Sequence, residues 1–574
     1  MGISSRFWRR AGLIISTLIL AIGMLPIGPA AAAPKDKANS KLLADAKENG
    51  EKEFRVIVVR SSDAKKVADK KAGKLAKDAD EGDRNADKEV EGKGGKKVRE
   101  LNKLGFVATV KGKHLDKISK HAAVNFVDID APMIPPAIDS TTLKPQGLEV
   151  AYQRTIGAAD AWMAGITGAG VGVAVIDTGV NAALPDFNAA DGSSRVIASL
   201  NFNPAAQYVA DGYGHGTHVA GIIAGNSWFN PTTALQGKYI GVAPGAHIIN
   251  LRTAADNGAS NVSDVIAALD WAVANRLTYN IRVINLSMIT NASGSRKQSM
   301  LAAAVERAWF SGIFVVVSAG NIGPNTASYA PANDPFVMVV GAADTKRTPG
   351  QSDDKIAGWS SYGNNEEGKA RPDVVAPGRW IPSVLSSPSS VLGSRYSGRV
   401  MDPNYIWMSG TSMAAPVVAG AAALVLQAHP EMSNDELKWL MMNTSVPLAG
   451  EIGSGVGEIN VTNMLNYTGT VGKANDGEQL ADFLVGPDGL VSYSTSSWST
   501  SSWSTSSWST SSWSTSSWST SSWSTSSWST SSWSTSSWST SSWSTSSWST
   551  SAWSSTSSQS TASQSSEWSF VDIE

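Results

Sequence analysis

The stretch around which the chain is organised is GTSMAAP, residues 410–416, which leads directly into the apolar run 417–426. A turn of small residues before such a run predicts a buried helix that begins at the turn. The first N–H groups of a helix have no partner within it and favour negative charge. Ser412 is therefore a candidate nucleophile. The alternative is that Thr411 or Ser412 only caps the helix, which is the commoner role of these residue types.

Five apolar runs earlier in the chain alternate with stretches of helical spacing, such as residues 262–275 and 298–309. Continuous apolar strands that alternate with helices indicate a parallel sheet covered on both faces. The predicted fold is therefore α/β, doubly wound and mostly parallel. Its strands are predicted at 171–176, 247–251, 283–286, 313–317 and 336–340. In such sheets functional residues collect at the carboxyl ends of the strands.

Three polar residues stand at predicted strand ends or helix starts. Asp177 ends the first strand, His215 begins a glycine-flanked helix, and Asn321 follows the most apolar strand. A hydroxyl attacks an amide when a His removes its proton and a carboxylate orients that His, while amide donors stabilise the oxyanion. These residues and Ser412 supply the parts of an acyl-transfer site. The alternative is a metal pair of His215 and His218, but no third ligand follows at ligand spacing.

Six stretches of the chain resemble those of the subtilisin-like serine proteases. They are VIDTG (175–179), HGTHVAG (215–221), GVAP (241–244), SAGN (318–321), PDVVAPG (372–378) and GTSMAAP (410–416). The resemblance covers about residues 150 to 466, and the order Asp, His, Ser is the one known for that family. It implies a serine endopeptidase that acts on polypeptides. In this role Asp177 orients His215, His215 is the general base, Ser412 is the nucleophile and Asn321 is the oxyanion donor.

The resemblance also implies a substrate cleft with two edges, to which a peptide adds as a strand. The six residues predicted to line it are Gly258, Ala259 and Ser260 on one edge, and Ser287, Met288 and Ile289 on the other. Where the family usually has a Gly pair, this chain has Ile289 and Thr290. The shape of the specificity pocket therefore differs from the usual one.

Composition limits the other classes of function. The chain has 574 residues and a net charge of -2, and no basic region suggests nucleic acid. It has no cysteine, which excludes disulfides, a thiolate nucleophile and Cys-ligated metal. The resemblance implies that no cofactor is required for the chemistry. Structural calcium is compatible with the sequence, but loop 225–238 differs from the family's usual calcium loop and no metal site is predicted.

Residues 1–32 are predicted to be a signal peptide. Three Arg residues precede the apolar run 11–27, and Ala30-Ala31-Ala32 offers an A-x-A cleavage site. The alternative is a retained membrane anchor, although Gly23 and Pro26 break the run. The protein is therefore expected to be secreted, either free or associated with the cell surface.

Residues 33–140 are predicted to form a small α+β domain. Its expected strands are 54–59, 105–110 and 124–129, its helices 62–79 and 114–121, and 80–97 is expected to be a loop. This order resembles the family's inhibitory propeptide. The resemblance implies that the carboxyl end of the domain occupies the cleft until self-cleavage between about Asp130 and Glu149. The alternative is a retained binding domain. Residues 131–146, rich in Pro, are predicted to be a linker.

The peptidase domain is predicted at 141–466, a linker at 467–492 and a low-complexity tail at 493–574. The tail repeats a Ser-Thr-Ser-Ser-Trp unit, whose period of five fits neither a strand nor a helix. It is either a solvated stalk or an adhesive segment that binds cell wall, polysaccharide or itself. The rival to a protease is an adhesin in which the protease fold is vestigial.

Overall fold

The computed structural model describes residues 37–60, 79–101, 105–134, 151–227, 237–291 and 293–484. Several predictions lie outside these ranges, namely those for the signal peptide, the helix 62–79, the repeat tail and most of loop 225–238.

The described amino-terminal region is an antiparallel four-stranded sheet with helices on one face. Strands β1 and β3 form its centre, because the order is β2-β3-β1-β4. The elements are α1 (Ser40–Glu48), β1 (Glu53–Arg60), α2 (Ala79–Gly92), β2 (Lys96–Leu101), β3 (Gly105–Lys111), α3 (Gly112–Ser119) and β4 (Val124–Ile129). One face packs on these helices through residues such as Leu42, Val90 and Leu115. The other face contributes Ile57 and Phe126 to the core of the larger domain.

The prediction of a loop at 80–97 is wrong, since α2 and the start of β2 lie there. Ala86 and Val90 are four residues apart, so they share one face of α2, and both are fully buried. The charged residues of this stretch are paired: Asp87 binds Arg60 at 2.9 Å and Lys97 at 2.7 Å. The high charge of this stretch led to the prediction of a loop. The narrow apolar stripe and the ion pairs nevertheless stabilise a helix there.

The larger domain contains an α/β core followed by smaller sheets. Its elements are β5 (Pro132–Ile134), α4 (Tyr152–Thr155), α5 (Ala158–Met163), β6 (Gly172–Asp177), β7 (Val196–Asn201), α6 (His215–Ala224), β8 (His247–Arg252), β9 (Ser260–Asn261), α7 (Val262–Asn275), β10 (Ile281–Leu286), β11 (Ile289–Thr290), α8 (Met300–Phe310), β12 (Phe314–Ser318), β13 (Met338–Asp344), β14 (Lys355–Ile356), β15 (Gly363–Asn364), β16 (Ala370–Arg371), β17 (Val374–Pro377), β18 (Ile381–Val384), α9 (Val391–Arg395), β19 (Val400–Asp402), β20 (Tyr405–Met408), α10 (Thr411–Ala428), α11 (Asn434–Thr444) and α12 (Val461–Leu465).

The central sheet has the order β14-β13-β12-β10-β6-β8-β7, with β17 also pairing with β13. All of its pairings are parallel except the one between β13 and β14. The predicted α/β, doubly wound and mostly parallel fold is therefore confirmed. The parallel pairing brings the carboxyl ends of β6, β10 and β12 to one edge of the sheet.

Helix α10 lies at the centre of the domain. It packs against β10, β12, β13 and β17 on one side and against α6 on another. Its residues are buried from Thr411 to Leu426. It is the one described helix long and apolar enough to cross a membrane, and 89% of its apolar window is buried inside the protein. The apolar run that follows residue 416 thus forms the core of the domain, as predicted.

Two segments predicted as linkers contain packed structure. Strand β5 falls inside the predicted linker 131–146, and Met133 is only 1% exposed. Part of the predicted linker 467–492 packs on the domain, because Ala481 and Leu484 belong to its core. The Ala481 N–H donates to the Glu306 carboxylate at 2.9 Å. Neither segment shows a periodic pattern in the sequence, because each buries only one or two apolar side chains.

A buried ammonium group holds the carboxyl-terminal part of the domain together. Lys438 on α11 is 2% exposed, and its Nζ donates to the carbonyl oxygens of Pro335 at 2.6 Å and Val337 at 2.9 Å. It also donates to Asn475 Oδ1 at 3.2 Å and lies 3.7 Å from Asp373 Oδ2. These oxygens come from three separate segments of the chain. Removal of the ammonium leaves them without that donor in the interior.

We therefore expect Lys438→Met to lower the free energy of unfolding by about 3 kcal/mol and Tm by several degrees, because the variant leaves buried acceptors unpaired. Thermal unfolding of both proteins in the Ser412→Ala background, which limits self-digestion, measures the change. The matched control is Lys355→Met, since Lys355 is exposed on β14. Equal Tm values for the two variants would show that the buried ammonium contributes nothing.

Candidate active site

Asp177 and His215 form a buried pair at the carboxyl edge of the sheet. Asp177 is the last residue of β6 and His215 the first of α6, and His215 Nδ1 lies 2.7 Å from Asp177 Oδ1. The side chains of His215 and Asp177 are 1% and 0% exposed. A carboxylate only accepts hydrogen bonds, so Nδ1 of the neutral ring carries the proton and Nε2 carries the lone pair. Nε2 is thus the basic atom of the pair.

Gly216 allows helix α6 to approach the end of β6 this closely. A Cβ atom at Gly216 would lie 2.2 Å from the Gly179 carbonyl oxygen and 3.0 Å from Asp177 Cβ. No larger residue fits at this contact without a shift of the helix. The glycine that flanks His215 therefore sets the distance between the imidazole and the carboxylate.

The pKa values of the two histidines of α6 are shifted in opposite directions. Burial lowers the pKa of His215, but the charge of Asp177 and its hydrogen bond raise that pKa above the ordinary value of 6.5. Burial holds the pKa of His218 down to about 3. The His218 Nε2 donates to the Ile406 carbonyl oxygen at 3.0 Å. His218 is therefore a neutral core residue that ties α6 to β20.

Ser412 lies in the first turn of α10, and Pro416 gives that turn an unusual feature. Proline has no N–H, so the Ser412 carbonyl oxygen lacks the hydrogen bond that residue 416 would normally donate. The Ser287 hydroxyl donates to this carbonyl instead, at 3.1 Å. Asn285 Nδ2 in turn donates to Ser287 Oγ at 2.9 Å. The end of β10 and the start of α10 are thus joined at the candidate nucleophile.

The Ser412 hydroxyl makes no hydrogen bond to His215 in this structure. Its Oγ donates to the Ser287 carbonyl oxygen at 3.3 Å, and His215 Nε2 has no hydrogen-bond partner among the described residues. Catalytic hydrogen bonds are often long or unmade before substrate binds. The structure therefore brings Asp177 and His215 into direct contact and places Ser412 on the adjoining helix α10 without a bond to the base.

Asn321 lies beside the start of α10. Its Oδ1 accepts hydrogen bonds from Thr411 N and Thr411 Oγ1, both at 2.9 Å. A Cβ at Gly410 would lie 3.1 Å from Asn321 Nδ2, which locates the amide nitrogen next to that turn. Because Thr411 orients the amide through its oxygen, the donor end faces Gly410, two residues before Ser412.

The two predicted cleft edges are held apart by a strand of the same chain. Strand β5 lies between β9 and β11 and is antiparallel to both. Met133 pairs with Ser260 on one side and with Thr290 on the other, and Ile289 pairs with Ile134. The extended segment β5 therefore occupies the groove between β9 and β11, which is the predicted substrate cleft, by strand addition.

The other predicted cleft residues lie next to these strands. Gly258 has a φ of 84° and packs against the ring of Tyr213, and Ala259 follows it into β9. Met288 is fully buried between Ser287 and Ile289. The side chain of Ile289 reaches Gly320, since a Cβ there would lie 2.9 Å from Ile289 Cδ1.

Carboxylates of the amino-terminal region lie on the first turns of two helices of the larger domain. Asp130 accepts hydrogen bonds from Ser263 N at 2.8 Å and Ser263 Oγ at 2.9 Å, in the first turn of α7. Asp128 accepts from Met300 N at 2.9 Å, at the first residue of α8. Helix amino termini favour negative charge, so both contacts stabilise the docked arrangement. Arg99 adds an ion pair with Asp264.

Sequence reasoning missed several residues that position this site. Asn285 and Thr178 were not predicted, although each stands beside a predicted site residue or strand end. Asp211 was missed as well, because the sequence shows a carboxylate four residues before the candidate base but does not show that it is buried. Among the described residues no group of three or more His, Asp or Glu side chains could hold a metal ion. The metal-pair alternative for His215 and His218 therefore has no further ligand there.

Comparison with known proteins places the chain among the serine-type endopeptidases. Residues 168–487, more than half of the chain, match the model of the subtilase family, and the chain belongs to that family. It is 36% identical over 296 residues to subtilisin Savinase of Lederbergia lenta, covering 52% of this chain and 91% of that protein. It is 35% identical over 288 residues to serine protease AprX of Bacillus subtilis (strain 168), covering 48% of this chain and 62% of AprX.

A solved structure shows the same fold. Fervidolysin from Fervidobacterium pennivorans, described as a keratinolytic enzyme related to subtilisin, has a TM-score of 0.54 with 24% identity. The match covers 74% of this chain and 62% of the fervidolysin chain. The resemblance seen in the sequence motifs is therefore confirmed at the level of family and fold.

The buried pair predicts distinct titrations for the two histidines of α6. In Ser412→Ala protein, we expect the NMR signal of His215 to titrate with a pKa above 6.5, and that of His218 to show no titration between about pH 5 and about pH 9. Asp177→Asn removes the charge that raises the pKa of His215, so it should lower that pKa. The control, Asp191→Asn, changes an exposed carboxylate and should leave it unchanged. A His215 pKa that is the same in both variants would contradict this electrostatic account.

Proposed function

We propose that the chain is a secreted serine endopeptidase made as a self-processed zymogen, with Ser412 as nucleophile, His215 as general base and Asp177 as its orienting carboxylate. The observation that carries this proposal is the buried 2.7 Å contact between His215 Nδ1 and Asp177 Oδ1, beside the helix α10 that carries Ser412 in its first turn. Membership of the subtilase family supports it.

Acylation is the first half of the proposed reaction. The Ser412 hydroxyl turns from the Ser287 carbonyl oxygen to His215 Nε2, which takes the proton as Oγ attacks the peptide carbonyl carbon. Asp177 holds the proton on Nδ1 and stabilises the imidazolium that forms. His215 then gives its proton to the leaving amine as the C–N bond breaks. An acyl-enzyme on Ser412 remains.

Water completes the reaction by the same route. His215 Nε2 takes a proton from water while the water oxygen attacks the acyl carbon, and the proton returns to Ser412 Oγ as the ester bond breaks. In both halves the Asn321 amide and the Ser412 N–H are the proposed donors to the oxyanion. The two hydrogen bonds that Thr411 donates to Asn321 Oδ1 support this role, since they leave the amide nitrogen as the end that can donate to the oxyanion.

The position of β5 supports the zymogen part of the proposal. The described part of the amino-terminal region is docked through Asp128, Asp130 and Arg99, and β5 fills the groove between β9 and β11. A substrate that added as a strand would need the same groove, so the amino-terminal region acts as an intramolecular inhibitor. The proposed self-cleavage lies between about Asp130 and Glu149, and the part of this window at 135–149 lies outside the described residues.

The remaining parts of the proposal concern substrates and location. Polypeptides are the proposed substrates, bound between Ser260 on one edge and Ile289 on the other. Export through the signal peptide at 1–32 and adhesion through the tail at 493–574 stay proposals that rest on sequence alone. The tail is proposed to bind cell wall, polysaccharide or other copies of itself. Structural calcium is likewise proposed only as compatible with the chain.

Ser412→Ala tests both the nucleophile and the processing. We expect wild type to digest casein, to be blocked by a sulfonyl fluoride and to lose its amino-terminal region by cleavage between about Asp130 and Glu149. The variant should do none of these, because no other hydroxyl is proposed to attack. Casein digestion and amino-terminal sequencing of the secreted proteins measure the outcome.

Ser445→Ala is the matched control, since this hydroxyl bonds the Met441 carbonyl oxygen at the end of α11. It should be processed and active. Processing of Ser412→Ala at the same bond, with no other protease present, would rule out self-cleavage.

Asn321→Leu tests the oxyanion donor. We expect kcat to fall roughly 100- to 1,000-fold with little change in KM, since the amide acts mainly in the transition state. This magnitude is taken from the loss of the corresponding amide in a subtilisin. Steady-state kinetics on a peptide substrate measure it, with Asn443→Leu, an exposed position on α11, as control. An unchanged kcat would remove Asn321 from the mechanism.

A further inference from the structure

A buried carboxylate that takes no part in these proton transfers belongs to Asp211, four residues before His215. Asp211 is only 4% exposed. Its Oδ1 accepts a hydrogen bond from Gly214 N at 2.7 Å, and its Oδ2 accepts one from Thr217 N at 2.8 Å. Gly214 precedes the first turn of α6 and has no side chain with which to cap it. Asp211 thus supplies the cap of the helix that carries His215.

The same carboxylate also reaches the segment that carries Asp177. Thr178 follows Asp177 directly, and its Oγ1 donates to Asp211 Oδ1 at 2.8 Å. This hydroxyl oxygen also accepts a hydrogen bond from Gly216 N at 2.9 Å. One carboxylate and one hydroxyl therefore join the end of β6 to the start of α6, in addition to the Asp177–His215 contact.

The backbone of Asp211 is held independently of its carboxylate. Its carbonyl oxygen accepts a hydrogen bond from Ser386 Oγ at 2.6 Å. All three carboxylate contacts are buried. The residue is therefore a fixed point to which both segments are attached, rather than a side chain that follows one of them.

We propose that Asp211 is a positioning residue of this active site, which together with the Thr178 hydroxyl fixes the separation and orientation of Asp177 and His215. The inference rests on the proposed roles of Asp177 and His215. It adds a second carboxylate, on a different segment, to the set of groups on which the general base depends.

Asp211 also acts on the charge of His215. The titratable groups that face the imidazole are Asp177, Asp211 and His218. Burial lowers the pKa of His215, while the charge of Asp177 and, to a smaller extent, that of Asp211 raise it. His218 is neutral because burial lowers its own pKa to about 3. Loss of the Asp211 charge should therefore lower the pKa of His215.

The test is Asp211→Asn in the full chain, with kcat and KM measured on a peptide substrate across pH. An amide cannot accept all three hydrogen bonds as the carboxylate does, so we expect kcat to fall about 10- to 100-fold, with KM changed by less than about twofold. Because the base acts in its neutral form, a lower pKa for His215 moves the acid limb of the kcat/KM profile to lower pH. A purely structural role would not shift that limb.

Asp186→Asn is the matched control. Asp186 is 2% exposed and accepts a hydrogen bond from the Tyr405 hydroxyl at 2.7 Å, at a place with no contact to His215. The Asp186→Asn variant should leave kcat and the pH profile of kcat/KM unchanged. If both Asn variants lose activity equally and neither shifts the acid limb, the effect is one of stability and the inference is overturned.

If Asp211→Asn does not fold or is not processed, the variants Thr178→Val and Thr178→Ser test the same positioning role. Valine removes the hydroxyl that joins the two segments, so kcat should fall, and serine should restore it. Wild-type kcat in Thr178→Val would overturn the inference. Failure of the proposed function is distinguishable, because wild type itself would then be inactive or Ser412→Ala would remain active.

Discussion

The rest of the structure depends on the burial of α10 on every side. A helix that is apolar all round is stable only inside a domain, so it packs between the central sheet and α6. Its first turn then lies at the sheet edge where β6, β10 and β12 end. Pro416 leaves one carbonyl of this helix without a donor, and Ser287 supplies the missing bond. The same constraint that builds the core thus fixes the position of Ser412.

Two kinds of contact bind the amino-terminal region to the larger domain: carboxylates at the first turns of two helices, and backbone pairing of β5 with two strands. Asp128 and Asp130 lie on the first turns of two helices of the larger domain, and Met133 pairs with both neighbouring strands. The sheet face that carries Phe126 is part of the common core. Only two residues separate β4 from β5. Docking of the amino-terminal sheet therefore places β5 in the groove between β9 and β11.

Much of the fold could be predicted because its signals are local. Continuous apolar strands and the long apolar helix are visible in a window of a few residues, and α7 occupies the predicted range 262–275. Helix α2 was missed because its apolar stripe is narrow and because its charged residues pair with Arg60 on β1 and Lys97 on β2, which a local window of sequence does not show. The bond from Ser287 to Ser412 could not be predicted at all. It depends on how β10 and α10 lie relative to each other in the folded domain. It also depends on the absence of an N–H at Pro416, which leaves the Ser412 carbonyl oxygen free to accept the bond.

The ammonium of Lys438 has a consequence for the conditions under which the enzyme works. Four oxygen atoms from the carbonyls of 335–337 and from Asn475 surround it, as oxygen atoms surround a bound metal cation. This cation is part of the chain, so chelating agents cannot extract it and dilution cannot remove it. The segments that it joins therefore stay together in surroundings where free divalent ions are scarce.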